Sequence, residues 1–286
     1  MIREIWYYIC KAVFPKVSLG LFVNSVRFIQ STRKFHVFYK IQPSNPLSLN
    51  DFLHNEKLND KYFQFSNLAD KYLVRDFVQK RIGANYLIPL IGVFDNPRDL
   101  LHLDVQDGLI VKANHGSGWN LICHSSEEVE SGLRSFQSWM DKNAFYLSRE
   151  KQYFNIEPKL VVEKLIADNP IDYKIFCVNG IPKVIQVDSN RFSSHKRDFY
   201  SIDWEKLDFQ FIYPNSKRIH EAPKGLDEIL SIAKTLSQGM DFVRVDLYYE
   251  NEKVYFGELT FCPEGGMGFF RNYAEDIRFA KYIGLK

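Results

Sequence analysis

The stretch FVRVDLYYENEKVYFGELTFCP, residues 242–263, decides the fold of this chain. Two runs rich in β-branched and aromatic residues flank the polar segment 250–253, and this pattern is typical of a β-hairpin. Successive side chains of a strand point to opposite faces of the sheet. One face of the hairpin is therefore expected to be apolar, with Val243, Val245, Leu247, Leu259 and Phe261.

The opposite face of the predicted hairpin would carry Arg244, Asp246, Glu258 and Thr260. Two carboxylates and a guanidinium on a half-buried face need a partner. A divalent cation shared with phosphate oxygens would supply one, and a solvated ladder of ion pairs is the alternative. The glycine-rich segment 263–268 favours the ligand site, because glycine allows a ligand to approach the backbone closely.

The composition of the 286 residues indicates an ordered protein in a reducing compartment. Four cysteines lie scattered without paired spacing, so we expect free thiols rather than disulfides or a zinc site. Strands dominate the second half with helices between them, which favours an α+β fold over a doubly wound parallel sheet. The net charge is only +2 and no nucleic-acid-binding module is recognisable, so a nucleic-acid partner is not expected.

Residues 1–45 form a basic N-terminal segment, with seven Lys and Arg against the single acid Glu4. An amphipathic helix before Pro15 is predicted by the spacing of Ile2, Ile5, Trp6, Ile9 and Val13. This helix either packs on the body of the protein or rests on anionic lipid at the inner face of the cytoplasmic membrane. Neither a signal peptide nor a transmembrane run is recognisable, so the expected location is cytoplasmic.

Lys112 ends a short predicted strand just before a glycine turn formed by Gly116, Ser117 and Gly118. Backbone N–H groups of such a turn can bind an anion, and a lysine adds a charge that binds phosphate. The order differs from a Walker A motif, in which the lysine follows the glycines. The turn by itself is compatible with an ordinary loop.

Taken in order, the motifs of the chain resemble the ATP-grasp superfamily. The motifs are Asp70-Lys71 with Arg75, Lys112 with its glycine turn, Glu163 to Ile166, Arg244 with Asp246, and Glu258 with Thr260. Other segments look like the TupA-like branch of that superfamily, which is associated with bacterial surface-polymer biosynthesis. These segments are 55–57, 68–71, 114–119, 172–177 and 187–192.

The resemblance implies an α+β ATP-grasp fold that holds ATP and Mg²⁺ between two lobes. It would divide the chain into the basic segment 1–45, a substrate-side region 46–110, a small lobe 111–180 and a large lobe 181–286. The large lobe would contain the hairpin that binds the metal.

The resemblance also implies roles for individual residues. The cofactor-binding residues would be Arg75, Lys112, Gly116, Ser117, Gly118, Glu163, Ile166 and Asp172. Among these, Arg75 and Lys112 would contact phosphates, Glu163 and Ile166 the adenine, and Asp172 the ribose. The metal ligands would be Asp246, Glu258 and Thr260, the last in place of the family's asparagine. The catalytic groups would be Lys112 and Arg244, with Arg244 on the transferred phosphate.

An acceptor site is predicted around a basic run that follows a strand bordering the cleft. Its residues would be Lys174, Arg191, His195, Lys196, Arg197, Gly265 and Gly266. Arginine binds carboxylates and phosphates through two hydrogen bonds, so this run could hold an anionic acceptor. A solvated basic loop is the alternative.

The resemblance implies an ATP-dependent carboxylate–amine ligase that forms an amide through an acyl phosphate. Its partners would be a small-molecule amine and a carboxylate, or a polysaccharide precursor. Two alternatives remain from the sequence: a phosphotransferase that acts on a sugar hydroxyl, and a non-catalytic protein that binds nucleotide or polysaccharide.

Overall fold

The computed structural model describes residues 2–14, 16–42, 44, 46–190 and 194–285. The α-helices are Ile2–Ala12 (α1), Leu19–Gln30 (α2), Leu49–Leu58 (α3), Ser66–Ala69 (α4), Val74–Ile82 (α5), Ser126–Met140 (α6), Phe145–Ser148 (α7), Leu226–Leu236 (α8) and Tyr273–Ile283 (α9). The strands are Leu90–Phe94 (β1), Leu109–Ala113 (β2), Asn120–Cys123 (β3), Leu160–Lys164 (β4), Asp172–Val178 (β5), Ile181–Ser189 (β6), Lys196–Tyr200 (β7), Lys206–Leu207 (β8), Phe242–Glu250 (β9) and Lys253–Thr260 (β10).

These strands form two antiparallel sheets, so the α+β prediction is confirmed. A four-stranded sheet has the order β1-β4-β2-β3, and a six-stranded sheet has the order β10-β9-β5-β6-β7-β8. Strand β1 precedes residue 111, and β5 precedes residue 180. The four-stranded sheet therefore begins before the predicted small lobe 111–180, and the six-stranded sheet begins inside it, so the predicted boundaries do not coincide with the sheets.

Strands β9 and β10 form the predicted hairpin. Its two-residue turn places Asn251 and Glu252 at positive φ, which is the geometry that connects twisted strands tightly. Asp246 lies directly opposite Glu258, as predicted. The register shifts at Gly257, where a Cβ atom would come within 2.9 Å of the Asp246 carbonyl oxygen. Glycine is therefore needed at this bulge beside the two carboxylates.

One face of the six-stranded sheet builds the main core. The predicted apolar face of the hairpin is buried there and packs with side chains of α5 and α8. Burial of each such side chain contributes about 1.5–3 kcal/mol, so this face anchors the hairpin.

The other face of the six-stranded sheet changes character along its length. Phe176 and Val178 on β5 pack in a phenylalanine-rich core with side chains of α3 and α9. Lys174 precedes Phe176 by two residues and therefore shares this face. The face is thus apolar at one end and charged at the other, and the charged end carries the candidate site.

Helix α1 is confirmed, but only part of the predicted apolar stripe packs on the protein, with Trp6 and Val13 against a core cluster. Tyr7 and Cys10 are buried, whereas Ile5 and Ile9 are exposed. The helix has apolar residues around most of its circumference, and the Tyr7 ring packs edge-on against Tyr146 of α7. No helix within the described residues is long and apolar enough to cross a membrane.

Candidate active site

A cavity of about 400 Å³ lies between the two sheets. The four-stranded sheet contributes Lys112 and Asn120 to its lining. The six-stranded sheet contributes the charged end of its face, and Lys71 enters from the segment before α5. Residues far apart in sequence therefore meet in one space.

Asp246 is the centre of a buried charge network on β9 and β5. Its Oδ1 accepts a hydrogen bond of 2.7 Å from Arg244 Nε, and its Oδ2 accepts one of 2.7 Å from Arg244 Nη2. Lys174 Nζ donates to the same Oδ2 at 2.9 Å and lies 3.4 Å from Asp172. Burial lowers the pKa of Lys174, but Asp172 and Asp246 outweigh it and raise that pKa overall. Lys174 therefore stays charged.

Glu258 is the more accessible carboxylate, with a third of its side chain exposed to the cavity. Its Oε2 lies 3.5 Å from Lys71 Nζ, and its Oε1 accepts a weak hydrogen bond from the Thr260 hydroxyl. Burial favours the protonated form, but the positive field of Lys71, Lys174 and Arg244 outweighs it and lowers the pKa of Glu258 to about 2. Glu258 is therefore ionised at neutral pH.

The oxygen atoms on this face of the hairpin are suitable ligands for a magnesium ion. No group of three or more His, Cys, Asp or Glu side chains forms a metal cluster among the described residues. Magnesium does not require one, because it is usually held by one or two carboxylates together with phosphate oxygens and water. Asp246, Glu258 and the Thr260 hydroxyl provide that set of hard oxygen atoms on one face.

Glu163 forms ion pairs with both of the cations that were predicted to bind phosphate. Arg75 Nη1 donates to Glu163 Oε1 at 2.6 Å, and Lys112 Nζ donates to Oε2 at 2.7 Å. Arg75 also donates to the Ile88 carbonyl and lies outside the cavity lining. Lys112 remains in the lining, so it reaches the space that Arg75 does not.

The glycine turn is folded over one side of the cavity, with Ser117 and Gly118 in the lining. Gly118 has a φ of 71°, which only glycine adopts without strain. Lys71 Nζ donates to the Gly116 carbonyl at 2.7 Å. A Cβ atom at Gly116 would come within 2.5 Å of the Trp119 ring. The turn is thus held in place from both sides.

A smaller, mainly apolar slot of about 100 Å³ adjoins Lys112 and Asn120. Its lining includes Ile166, the residue that was predicted to lie near adenine, and the charged Lys164 and Asp168. The remaining lining is largely apolar or aromatic and includes Ile88, Ile110, Ile122, Leu165, Pro170 and Tyr248. Asp172, which was predicted near the ribose, is buried on β5 outside this lining.

Within the described part of the basic run, His195 and Arg197 line the cavity, but both are held by internal contacts. Arg197 donates to both oxygens of Asp188 and to Glu264 Oε1, at 2.7–3.0 Å. The His195 ring stacks on Tyr213 with their centroids 3.6 Å apart. Because the guanidinium is buried and bound to two carboxylates, the idea of a free anion clamp at Arg197 is not supported by its contacts.

The other predicted acceptor residues are divided. Gly265 lines the cavity, whereas Gly266 and Lys196 do not. The Gly266 carbonyl instead lies 2.8 Å from His54 Nε2 on α3. Arg191 lies outside the described residues.

Four charged residues that the sequence did not assign to the site also line the cavity: Lys71, Glu150, Asp188 and Glu264. Burial raises the pKa of Glu150, which accepts a hydrogen bond from Gln152. Glu264 has a positive φ of 54°, uncommon for a residue with a side chain. Lys71 could have been assigned to the site from the sequence, because it belongs to the Asp70-Lys71 motif, whereas no motif surrounds Glu150.

Comparison with known proteins places the chain in a family. The sequence model described as TupA-like ATPgrasp matches residues 51–283. This match confirms the predicted resemblance and the ATP-grasp fold, which takes ATP and Mg²⁺ as its cofactors. A comparison with curated proteins found no match.

Several solved structures are similar to this chain at low sequence identity. A D-alanine–D-alanine ligase from Bacillus anthracis in complex with ATP shares 16% identity with a TM-score of 0.40, over 68% of this chain and 54% of that one. An N5-carboxyaminoimidazole synthetase from Staphylococcus aureus shares 11% with a TM-score of 0.42, over 68% and 44%. A biotin carboxylase from Campylobacter jejuni shares 14% with a TM-score of 0.42, over 68% and 40%. The chain thus spans about half of the length of these structures.

Proposed function

Because this chain belongs to the TupA-like ATP-grasp family, we propose that it is an ATP-dependent carboxylate–amine ligase. The observation that carries the proposal is the convergence on one cavity of two lysines and the charged face of the hairpin. Lys71 and Lys112 enter from one side, and Arg244, Asp246 and Glu258 from the other. This arrangement can neutralise a polyphosphate and the charge that develops on a transferred phosphoryl group.

The nucleotide would lie across the slot and the cavity. The apolar walls of the slot, including Ile166, suit a purine ring, and Lys112 stands where the slot meets the cavity. Lys112 and the N–H groups of the turn at Ser117 and Gly118 would bind the phosphates. We assign Glu163 to orienting Lys112, since the two are joined by a 2.7 Å ion pair.

Asp246 and Glu258 would hold Mg²⁺, with Thr260 as a neutral oxygen ligand. The ion would neutralise charge on the phosphate oxygens when bound. Arg244 is fixed by its two bonds to Asp246, so its guanidinium is oriented before any substrate arrives. Preorganised donors of this kind stabilise a transition state without reorganisation at the moment of reaction.

The proposed reaction has two steps. A substrate carboxylate oxygen attacks the γ-phosphorus of ATP, the bond to ADP breaks, and an acyl phosphate forms. The amine nitrogen then attacks the acyl carbon, phosphate leaves with the carboxylate oxygen, and the amine loses a proton. Exclusion of water by the cavity would protect the acyl phosphate from hydrolysis.

An isotope experiment tests this reaction. With a carboxyl-¹⁸O substrate, ATP and the amine, we expect one labelled oxygen in free phosphate, and hydroxylamine should trap a hydroxamate. Glu258→Gln should lose both products, while Glu252→Gln in the exposed hairpin turn should keep them. A stable phosphorylated sugar without free phosphate or hydroxamate would replace the ligase with the phosphotransferase.

We also propose that the amide forms during synthesis of a capsule or another surface polymer. The support for this biological role is membership of the TupA-like family. A contact of the basic segment 1–45 with the membrane belongs to the same proposal, because polymer precursors of this kind are assembled next to a membrane. Product analysis by mass spectrometry with a panel of sugar acids and amines tests the substrate class.

A further inference from the structure

Helix α1 exposes an apolar stripe on the side that faces away from the protein. Ile5, Tyr8 and Ile9 follow one another at the spacing of a helix face and are 54%, 62% and 48% exposed. The opposite side of the same helix is buried through Tyr7 and Cys10. The stripe is therefore not needed for packing α1 on the protein.

Four phenylalanine rings lie in a row next to the end of α1, and three of them are partly exposed. Phe14 packs edge-on against Phe145 of α7, which packs against Phe154, which in turn contacts Phe63; the centroid distances are 5.1, 4.9 and 6.3 Å. Phe14, Phe154 and Phe63 are each more than a third exposed. We call the stripe on α1 together with these three rings the α1–α7 surface. Its members are Ile5, Tyr8, Ile9, Phe14, Phe63 and Phe154.

Three lysines lie near the α1–α7 surface, and one of them, Lys151, contacts a ring that belongs to it. Lys11 Nζ is 5.4 Å from the Tyr146 centroid, Lys142 Nζ is 5.9 Å from the Tyr7 centroid, and Lys151 Nζ is 5.8 Å from the Phe63 centroid. Asp60 pairs with Lys151 and partly offsets its charge. Basic side chains beside exposed aromatic and aliphatic groups are complementary to anionic lipid, because the charges meet headgroups while the apolar groups enter the acyl boundary.

The α1–α7 surface lies directly behind one end of the cavity. Helix α7 contacts α1 through Tyr146, which packs against Tyr7, while Leu147 and Ser148 of the same helix line the cavity. The α1 backbone is tied to this region, since Arg149 donates to the Cys10 carbonyl at 2.7 Å and the Asn143 N–H donates to the Tyr7 hydroxyl. One short helix therefore separates the exposed apolar surface from the end of the cavity away from the adenine slot.

We propose that the α1–α7 surface docks on an anionic membrane and places the α7 end of the cavity beside the bilayer. This orientation opens that end of the cavity toward the membrane surface. The docking does not depend on the proposed ligase function.

Vesicle binding of the full chain tests the docking. We expect flotation with vesicles that contain about one-third phosphatidylglycerol, little flotation with pure phosphatidylcholine, and loss of binding as salt rises. Ile9→Ser and Tyr8→Ser should each weaken partitioning by about fivefold or more, because each removes apolar area that lipid would bury. Ile219→Ser is the matched control, since Ile219 is 66% exposed and lies outside the surface.

The orientation is tested with a fluorophore at a single introduced cysteine, because the native cysteines are buried. Labels at Tyr8→Cys and Phe154→Cys should both be quenched by spin-labelled lipid in anionic vesicles, and a label at Ile219→Cys should not. Quenching at Tyr8 alone would overturn the placement of the cavity beside the bilayer. Equal binding to neutral and anionic vesicles, or self-association that Ile9→Ser abolishes, would overturn the docking. None of these readouts requires turnover, so they are independent of the isotope test of the ligase.

Discussion

Asp246→Asn and Glu258→Gln are expected to abolish the same activity but to destabilise the protein unequally. Each change replaces a carboxylate by an amide of the same shape. Asp246 accepts two hydrogen bonds from Arg244 and one from Lys174, and all three side chains are buried. Neutralising Asp246 leaves two buried cations without full compensation, and breaking a buried pair in this way costs about 3–5 kcal/mol.

Glu258 lies in a different environment. Its side chain is a third exposed and its ion-pair distance to Lys71 is 3.5 Å, so solvent screens the positive field around it, and the loss of its charge should cost less, about 1–2 kcal/mol. For a chain of this size, 1 kcal/mol corresponds to about 2–4 °C in Tm. We therefore expect Asp246→Asn to melt about 6–20 °C below the wild type, and Glu258→Gln about 2–8 °C below it.

Thermal unfolding followed by circular dichroism, without nucleotide or Mg²⁺, measures this difference. Glu252→Gln in the exposed turn of the same hairpin controls for the loss of one carboxylate. Equal melting temperatures for Asp246→Asn and Glu258→Gln would refute the assignment of Asp246 as the hub of the buried network. Normal activity in both variants would instead show that Asp246 and Glu258 are not the magnesium ligands.

Three further outcomes follow from the same contacts. Lys112→Met should weaken ATP binding about tenfold or more in a nucleotide titration, since a charge-assisted contact is lost; unchanged affinity would place Lys112 outside the phosphate site. Arg244→Ala should slow phosphate release in single turnovers far more than it weakens ATP binding, because charge develops on the transferred group in the transition state; equal effects on both would contradict that role. Burial, which outweighs the hydrogen bond from Asn50, raises the pKa of Asp276 to about 6 from 3.8. Between pH 3.8 and about 6 this carboxyl is therefore protonated in the folded state and ionised in the unfolded state. Wild-type stability relative to Asp276→Asn should then fall as pH rises from about 4 to 6 in urea titrations; a constant difference would show that this carboxyl does not titrate there.

The hairpin could be predicted from sequence because all its determinants are local. Alternation with a period of two separates the faces, and the short polar segment between the runs limits the turn to a few residues. That is enough to place Asp246 beside Glu258. The bulge at Gly257 could not be predicted in the same way, because it depends on how close the Asp246 carbonyl of the partner strand comes.

Lys71 and Arg75 show how a local turn separates two cations that lie close together in sequence. The two are four residues apart, but α5 begins only at Val74, so Lys71 is not on that helix. Asp70 Oδ1 accepts hydrogen bonds from the Tyr72 and Leu73 N–H groups and thereby forms a turn. The turn sends Lys71 into the cavity and leaves Arg75 on the helix, where it meets Glu163.

The basic run before β7 shows a more general limit, because the effect of a charge depends on its partner. Arg197 belongs to a run that looks cationic in the sequence, yet its carboxylate partners Asp188 and Glu264 lie 9 and 67 residues away. Burial lowers the pKa of Arg197, but these two carboxylates outweigh it and raise that pKa, so the guanidinium stays charged and committed to them. With one cation bound to two anions, the local charge of the trio is negative. The sequence of the run therefore does not give the charge of this part of the protein, because that charge depends on carboxylates that come from other segments.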